Sequence, residues 1–316
     1  MTKWTATDIP DLTGRRAVVT GANSGLGLET ARDLTRHGAH VTLACRDPER
    51  GAAALAEVQR TAAPGVEADV AALDLASLAS VRAFADAWVA EHPAGLDLLV
   101  NNAGVMAIPR GLTADGFERQ FGTNHLGHFA LTGLLLPALR LGTDARVVTV
   151  ASNAHRFGRI DFDDLMGERR YRAWSAYGQS KVANLLFMAE LQRRLDAARI
   201  PVRSYGAHPG YAATNLTANG PGAGDSGWAR TKRRVIQGAD RVLGQSAAMG
   251  ALPQLYAATC PGLPGGTYVG PDRLFEQRGH PKVTTPTRAA RDTAAAGRLW
   301  TVSEDLTGVR YPAPLT

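Results

Sequence analysis

The stretch Ala17-Val18-Val19-Thr20-Gly21-Ala22-Asn23-Ser24-Gly25-Leu26-Gly27 decides the fold. Its first four residues read as a buried β-strand. From Leu26 to about Arg36 the pattern is helical, and Gly38 stops it as a C-terminal cap. The glycines therefore lie in a strand-to-helix turn, and that placement carries the weight that glycines alone lack. In a dinucleotide-binding βαβ unit the first glycine makes the tight turn and the second lets backbone approach a pyrophosphate. The third lets helix pack on strand. The helix N-terminus then turns unpaired N–H groups and a positive dipole end toward phosphate. Gly21, Asn23, Ser24, Gly25, Leu26 and Gly27 are thus cofactor-binding candidates, against the plainer reading of a turn with no ligand. A P-loop is excluded, because no Gly-Lys-Ser/Thr follows.

Outward from this turn, short apolar strands alternate with helical stretches. Strands are expected at Val41–Ala44, Val66–Leu73, Leu96–Val100, Arg146–Val150 and Val202–Ala207. Helices are expected at Glu49–Arg60, Val81–Val89, Phe117–Leu139 and Tyr177–Leu195. This spacing implies right-handed βαβ units and an α/β fold: a Rossmann-type, doubly wound parallel sheet covered on both faces. Beyond Gly210 the pattern loosens. Residues 217–226 are rich in small residues and read as a mobile loop. Helical pattern returns at Thr231–Arg241, Ser246–Ala258 and Arg288–Val302, and Thr267–Val269 reads as an edge strand. One domain is expected, with a core of about 15–216 and a substrate loop, lid and C-terminal extension over 217–316.

The 316 residues are 45% hydrophobic and 20% charged, which is ordinary for a globular chain and argues against bulk disorder. The formal charge of +6 admits a nucleic-acid partner, but the densest basic cluster is Lys232-Arg233-Arg234, a solvated helix face. The two cysteines, Cys45 and Cys260, form no CxxC pattern and predict no disulfide. The N-terminus lacks an apolar signal region, and no stretch is long enough to span a membrane. A cytoplasmic protein with no nucleic-acid or membrane partner is expected.

Further motifs follow in order: Asn101-Asn102-Ala103-Gly104, Thr123-Asn124-His125-Leu126-Gly127-His128, Ser152, Tyr177-Gly178-Gln179-Ser180-Lys181, and Pro209-Gly210 with Thr214 beyond. With the TGxxxGxG spacing of the glycine turn, this set resembles the short-chain dehydrogenase/reductase family. The likeness is close from about Arg15 to Leu216. Within the family it is similar to the retinol dehydrogenase-like and WW-domain oxidoreductase-like branch. That likeness lies in Leu43-Ala44-Cys45-Arg46-Asp47, Asn124-His125-Leu126-Gly127-His128-Phe129 and Ala207-His208-Pro209-Gly210. Relatives there often carry an N-terminal membrane anchor or protein-binding module, and neither is expected here. The resemblance implies that Asn101, Ala103, Gly104, Pro209, Gly210 and Thr214 line a nicotinamide cofactor and that Asp74 and Leu75 flank its adenine. It further implies that Lys181 binds the nicotinamide ribose and that Asn124 holds a water linking Lys181 to solvent.

Tyr177 and Lys181 stand at i and i+4, so on a helix they point from one face toward one spot. A nearby ammonium favours the phenolate and is expected to lower the tyrosine pKa, making Tyr177 an acid in reduction and a base in oxidation. Ser152, at a strand's C-terminal end, can donate to a developing alkoxide. Cofactor choice rests on the end of the second strand, where an acid accepts from a ribose 2′-OH and an arginine meets a 2′-phosphate. Arg46 stands there, so NADP(H) is expected over NAD, with Asp47 as the complicating neighbour. His125, His128, His155 and His208 suggest no metal site. Met106, Ile108, Phe157, Trp174 and Tyr211 suggest an apolar pocket for a ketone, aldehyde, or secondary or primary alcohol. The loop from Thr217 to Trp228 is the expected lid. The rival reading is a catalytically inactive dinucleotide-sensing regulator or scaffold. A homodimer or homotetramer is expected through Phe117–Leu139 and Tyr177–Leu195, because Leu185, Leu186, Phe187 and Met188 exceed one core face.

Overall fold

The computed structural model describes residues 3–211 and 245–312. Thr214, the loop of 217–226, the expected lid and the helix expected at Thr231–Arg241 lie outside the described residues.

Seven strands run parallel: β1 (Arg16–Thr20), β2 (His40–Cys45), β3 (Ala68–Ala72), β4 (Leu98–Asn101), β5 (Arg146–Val150), β6 (Arg203–Ala207) and β7 (Tyr268–Arg273). β8 (Arg278–Thr284) returns antiparallel to β7. The order is β3-β2-β1-β4-β5-β6-β7-β8. The chain winds outward from β1 to β3, then crosses back to place β4 on the other side of β1. That reversal is where open α/β sheets leave a crevice at the strands' C-terminal ends.

The described helices are α1 (Gly25–Arg36), α2 (Pro48–Gln59), α3 (Leu78–Glu91), α4 (Gly127–Leu139), α5 (Ala173–Ala197), α6 (Ala247–Thr259) and α7 (Thr293–Thr307). Two apolar clusters show which face each covers. Leu34 of α1, Val58 of α2 and Leu252 and Leu255 of α6 pack on one side with Val19, Val41 and Val100. Phe84 and Trp88 of α3, Leu135 of α4, Phe187 of α5 and Trp300 of α7 pack on the other with Val18 and Val147. Neighbouring strand residues such as Val18 and Val19 thus face opposite layers, as the two-residue period of a strand requires. Polar caps begin several helices: Asp47 accepts from the Arg50 N–H, Ser77 from Ser80, Ser246 from Met249 and Asp292 from Ala295.

Four expectations are corrected. The stretch Phe117–Leu139 is not one helix; a short turn (Arg119–Phe121) leads into a π-turn (Gly122–Leu126) and then α4. The cause is visible at Asn124, whose side chain bonds the Val105 backbone through both its oxygen and its nitrogen and draws the turn outward. The segment at Thr267–Val269 is not an edge. β7 is internal, and β8 was hidden by its charged residues and by Pro281, which an edge strand tolerates. The C-terminal helix starts only at Thr293, after a 3-10 turn at Ala289–Arg291, because Asp292 caps it anew. Leu185, Leu186, Phe187 and Met188 leave no spare face, since all four are at most 3% exposed within the chain itself. The apolar excess that suggested an oligomer is taken up by the chain's own core, including Leu299 and Trp300 of α7. The residues after 245 are therefore built into the sheet and both helical layers of the same domain.

Candidate active site

Every sequence-predicted site residue in the described part stands at the C-terminal ends of the strands or on the elements facing them. The glycine turn begins at Thr20, whose hydroxyl accepts from the backbone N–H groups of Asn102 and Ala103 at 2.9 and 3.0 Å. The Asn102 side chain returns a bond to the Thr20 carbonyl at 2.8 Å. The two motifs thus clamp each other across the switch point. Gly21 and Gly25 have φ of +66° and +56°, the left-handed region that glycine enters without a steric cost. At Gly27 a β-carbon would sit 2.5 Å from the Gly21 carbonyl oxygen and 2.6 Å from Asn102 Nδ2. The tight spacing leaves the N-terminal N–H groups of α1 open to the crevice. This cradle of N–H groups fits a pyrophosphate.

At the end of β2, Arg46 is exposed, with no ion pair or hydrogen bond among the described residues. Asp47 is committed elsewhere, capping α2 through the Arg50 N–H at 3.1 Å. Arg50, one turn beyond Arg46, is a second exposed cation at this corner that sequence reasoning missed. The i, i+4 spacing was the available signal. Cys45 is buried, and desolvation holds its thiol up at about 11, so it serves packing. Asp74 and Leu75 follow β3, with Asp74 fixed by the Ala76 N–H and Leu75 buried against the backbone at Gly127.

Ser152 ends β5 and caps a 3-10 turn, Asn153–Arg156, through the Ala154 N–H at 3.2 Å. Its hydroxyl neighbours the Tyr177 phenol and acts to lower its pKa. α5 starts four residues earlier than expected, at Ala173, so Tyr177 and Lys181 lie in regular helix. The Lys181 ammonium sits 5.7 Å from the Tyr177 ring centre and donates to the Val150 carbonyl at 3.0 Å. The expected lowering of the tyrosine pKa is not found. Burial pushes the phenol above its ordinary value, and the neighbouring Ser152 hydroxyl acts against that rise. Burial also brings the Lys181 ammonium down to about 8. The lysine's ammonium is thus held by the strand carbonyl while it stands over the ring.

Asn124 is fully buried, with its side chain on the Val105 backbone and on Ser180 Oγ. Asn124 thus has a structural role through its side chain. Its carbonyl accepts from His128 Nδ1 at 3.0 Å. That bond leaves His128 Nε2 as an acceptor for the Thr20 hydroxyl at 2.9 Å. Desolvation holds His128 down to about 4, so it is neutral. The glycine turn and the π-turn are joined through this imidazole. His125 instead bonds Ser303 among aromatic rings and is held to about 3.

Pro209-Gly210 close β6, and behind them lies Glu276, which the sequence did not single out. Its carboxylate takes Arg156 at 2.8 Å and the Thr284 hydroxyl, and His208 Nε2 stands 3.4 Å away. Its carbonyl takes Asn153 Nδ2 at 3.0 Å, and the next carbonyl, of Gln277, takes the Tyr211 N–H at 2.7 Å. The β7–β8 hairpin thus props both the Ser152 turn and the Gly210 corner. Among the expected pocket residues, Phe157 (60%), Trp174 (52%) and Tyr211 (37%) are exposed apolar rings, and Trp174 meets Tyr177 edge-on at 6.2 Å. Met106 and Ile108 are half-buried.

A family model described as short chain dehydrogenase matches residues 15–221. Mouse retinol dehydrogenase 12 is 48% identical over 206 residues, 65% of this chain and 64% of its own, so that alignment spans less than two thirds of the relative. Mouse polyprenol dehydrogenase is 43% identical over 311 residues, covering 95% of this chain and 86% of its own. The crystal structure of an uncharacterized protein from Mycobacterium paratuberculosis is 48% identical with a TM-score of 0.80, covering 98% of this chain and 100% of that one. A short chain dehydrogenase from Burkholderia cenocepacia, solved in complex with NADP, is 26% identical with a TM-score of 0.60 over 82% of this chain and 96% of its own.

Proposed function

Since the chain belongs to the short chain dehydrogenase family, in its retinol dehydrogenase-like branch, we propose that it moves a hydride between NADP(H) and an apolar ketone, aldehyde or alcohol. The observation that carries this reading is the meeting of the Ser152 hydroxyl with the Tyr177 phenol beside Lys181, on the same sheet edge as the glycine cradle. A nicotinamide cofactor, when bound, supplies or takes the hydride. The backbone from Gly21 to Gly27 would hold its pyrophosphate. Asn101, Ala103, Gly104 and the Pro209-Gly210 corner would border the nicotinamide half, and Asp74 and Leu75 the adenine. Exposed Arg46, aided by Arg50, would meet a 2′-phosphate, while the capping role of Asp47 removes the competing acceptor. The NADP bound to the Burkholderia relative favours the same choice.

In reduction, Ser152 donates a hydrogen bond to the carbonyl oxygen, and Tyr177 gives that oxygen its proton as the carbon gains the hydride. Tyr177 regains a proton from solvent. Its phenol, raised by burial, is protonated and ready to donate at neutral pH. Lys181, at about 8, still carries most of its charge there and opposes the raised value as the phenolate forms. The exposed rings of Phe157, Trp174 and Tyr211 suit an apolar substrate, in line with relatives named for retinol and polyprenol. The clustered hydroxyls and ammonium favour an enzyme over the inert sensor or scaffold.

The test is NADPH consumption over a panel of apolar carbonyls, for the wild type and Tyr177→Phe. Loss of a general acid typically costs roughly 10²–10⁴-fold in turnover. NADPH affinity should stay within about twofold, because the phenolic oxygen moves a proton and holds the cofactor only weakly. Turnover surviving in Tyr177→Phe overturns the assignment.

A further inference from the structure

We propose that His40, Asp69 and His92 form a binding site for one imidazole-preferring dication, zinc above all, at the sheet edge opposite the hydride site. The three residues come from three elements. His40 opens β2, Asp69 lies in β3, and His92 is the C-cap of α3. Their nitrogen and carboxylate atoms all lie within 4.8 Å of one another, and all three are half-buried. His40 Nε2 already stands 3.1 Å from Asp69 Oδ2. A metal replacing the proton between them needs only a small movement of side chains.

Proximity alone would also describe a His–Asp ion pair. The groups behind the three residues argue for more, because a built metal site orients its ligands through outer partners. His92 Nδ1 donates to the Trp88 carbonyl at 3.0 Å, which leaves Nε2 with a free lone pair. Its ring is stacked on the Trp88 indole, with centroids 4.4 Å apart and planes 12° from parallel. The same Trp88, itself buried, donates through Nε1 to Thr42 Oγ1 at 3.1 Å. Thr42 then donates to Asp69 Oδ2 at 3.3 Å. One buried tryptophan therefore orients two of the three ligands. The negative end of the α3 dipole falls at His92 and favours a cation there. Two imidazoles and one carboxylate suit zinc, nickel or copper and exclude magnesium and calcium, which take oxygen ligands. A bound ion would tie the sheet's outermost strand, β3, to β2 and α3.

The site lies at the N-terminal ends of the parallel strands, so it is independent of the oxidoreductase reading. The experiment uses the full chain, stripped with chelator and titrated with zinc by calorimetry. His40→Ala and His92→Ala are run beside the wild type. One zinc per chain is expected, with a rise in melting temperature. Each variant should lose affinity by roughly tenfold or more, since even an outer partner is typically worth that much. Nickel should quench tryptophan fluorescence in the wild type and not in His92→Ala, because His92 stacks on Trp88. Magnesium should give no heat. Melting of the chelated variants shows that they fold, and two separate ligand variants guard against a fold defect in either. Zinc binding at wild-type affinity in both variants places the ion elsewhere and overturns the proposal, as does the absence of saturable binding.

Discussion

The two corners of the crevice are held in different ways. At the cofactor corner, Gly21 and Gly25 take their left-handed turns on residues that lose nothing by it. The Asp47 cap reaches only three residues along the chain. At the opposite corner, Leu274, Phe275 and Glu276 are three consecutive non-glycine residues with φ of +48°, +53° and +64°. Such backbone persists only where surrounding contacts over-determine it. Those contacts come from far away in sequence: Asn153 and Arg156 stand 123 and 120 residues from Glu276. The glycine turns and the helix cap of the cofactor corner thus follow local rules, with one clamp from Asn102 and Ala103 across the switch point. The corner beside Ser152 and Gly210 is shaped by a distant hairpin, and a single change there should act through several elements together.

The largest effect is expected from Gly27→Ala. Its new methyl would meet the Gly21 carbonyl and the Asn102 amide, so backbone must move. A cost of about 3 kcal/mol, at the upper end for overpacking, corresponds to more than roughly 100-fold if it falls on binding. NADPH and NADH should weaken alike by fluorescence titration. Near-normal affinity for both would break the account of the cofactor corner as a locally built cradle.

Arg46→Ala should be nearly as large but selective. A charge-assisted pair with phosphate is worth about 1.5–3 kcal/mol, or roughly ten- to a hundred-fold in NADPH affinity. NADH has no 2′-phosphate and should hardly change. Equal weakening of both cofactors would make Arg46 structural and remove the main support for NADP.

The contrast between the corners also explains what could be read in the chain. The sheet, its flanking helices and the glycine, NNAG, serine and tyrosine-lysine motifs were legible because strand alternation, glycine geometry and i, i+4 spacing are local. Arg50 was legible in the same way and was overlooked. Glu276 was not, since neither Leu274 nor Phe275 is a residue that announces a left-handed turn, and its partners are named only by folding. The π-turn at Gly122–Leu126 was equally hidden, because it follows from the bond between Asn124 and Val105. His40, Asp69 and His92 carry no spacing pattern; β-sheet register alone sets Asp69 opposite Thr42, two residues from His40. The direction of the Tyr177 pKa failed for a related reason. The helix spacing was right, but burial outweighed a lysine whose ammonium had found a strand carbonyl.

Glu276→Gln tests the distant corner. The neighbouring His208 imidazole, with the Thr284 hydroxyl and Arg156, holds the Glu276 carboxyl down to about 2 against an ordinary value near 4.5. A depressed carboxyl contributes stability that is fully present above the unfolded value and is lost as pH falls through the folded one. The contribution should therefore be whole at pH 6 and fade between about pH 4.5 and 2. Replacing the carboxylate with an amide should cost about 1–3 kcal/mol at neutral pH. The gap between variant and wild type should close on acidification. A pH-independent gap in urea melts would mean that shape, not charge, holds the hairpin.

The smallest effect is expected at Asp47, and it bears most directly on the claim of local construction. Read in sequence, Asp47 competes with Arg46 for the ribose, and its removal should sharpen NADPH preference. Read in the fold, its carboxylate accepts the Arg50 N–H and is followed by Pro48 at the first helical position, an ordinary start to a helix. Asp47→Ala should then cost about 1 kcal/mol of stability and leave the ratio of NADPH to NADH affinity nearly unchanged. Asp47→Ser, which can cap as well, should restore most of the melting temperature without restoring any charge. The double change Arg46→Ala with Asp47→Ala should recover little NADPH affinity, because the aspartate was never turned toward the phosphate. A clear recovery would show that the carboxylate leaves its cap when cofactor binds, and that the corner is less rigid than its hydrogen bonds imply.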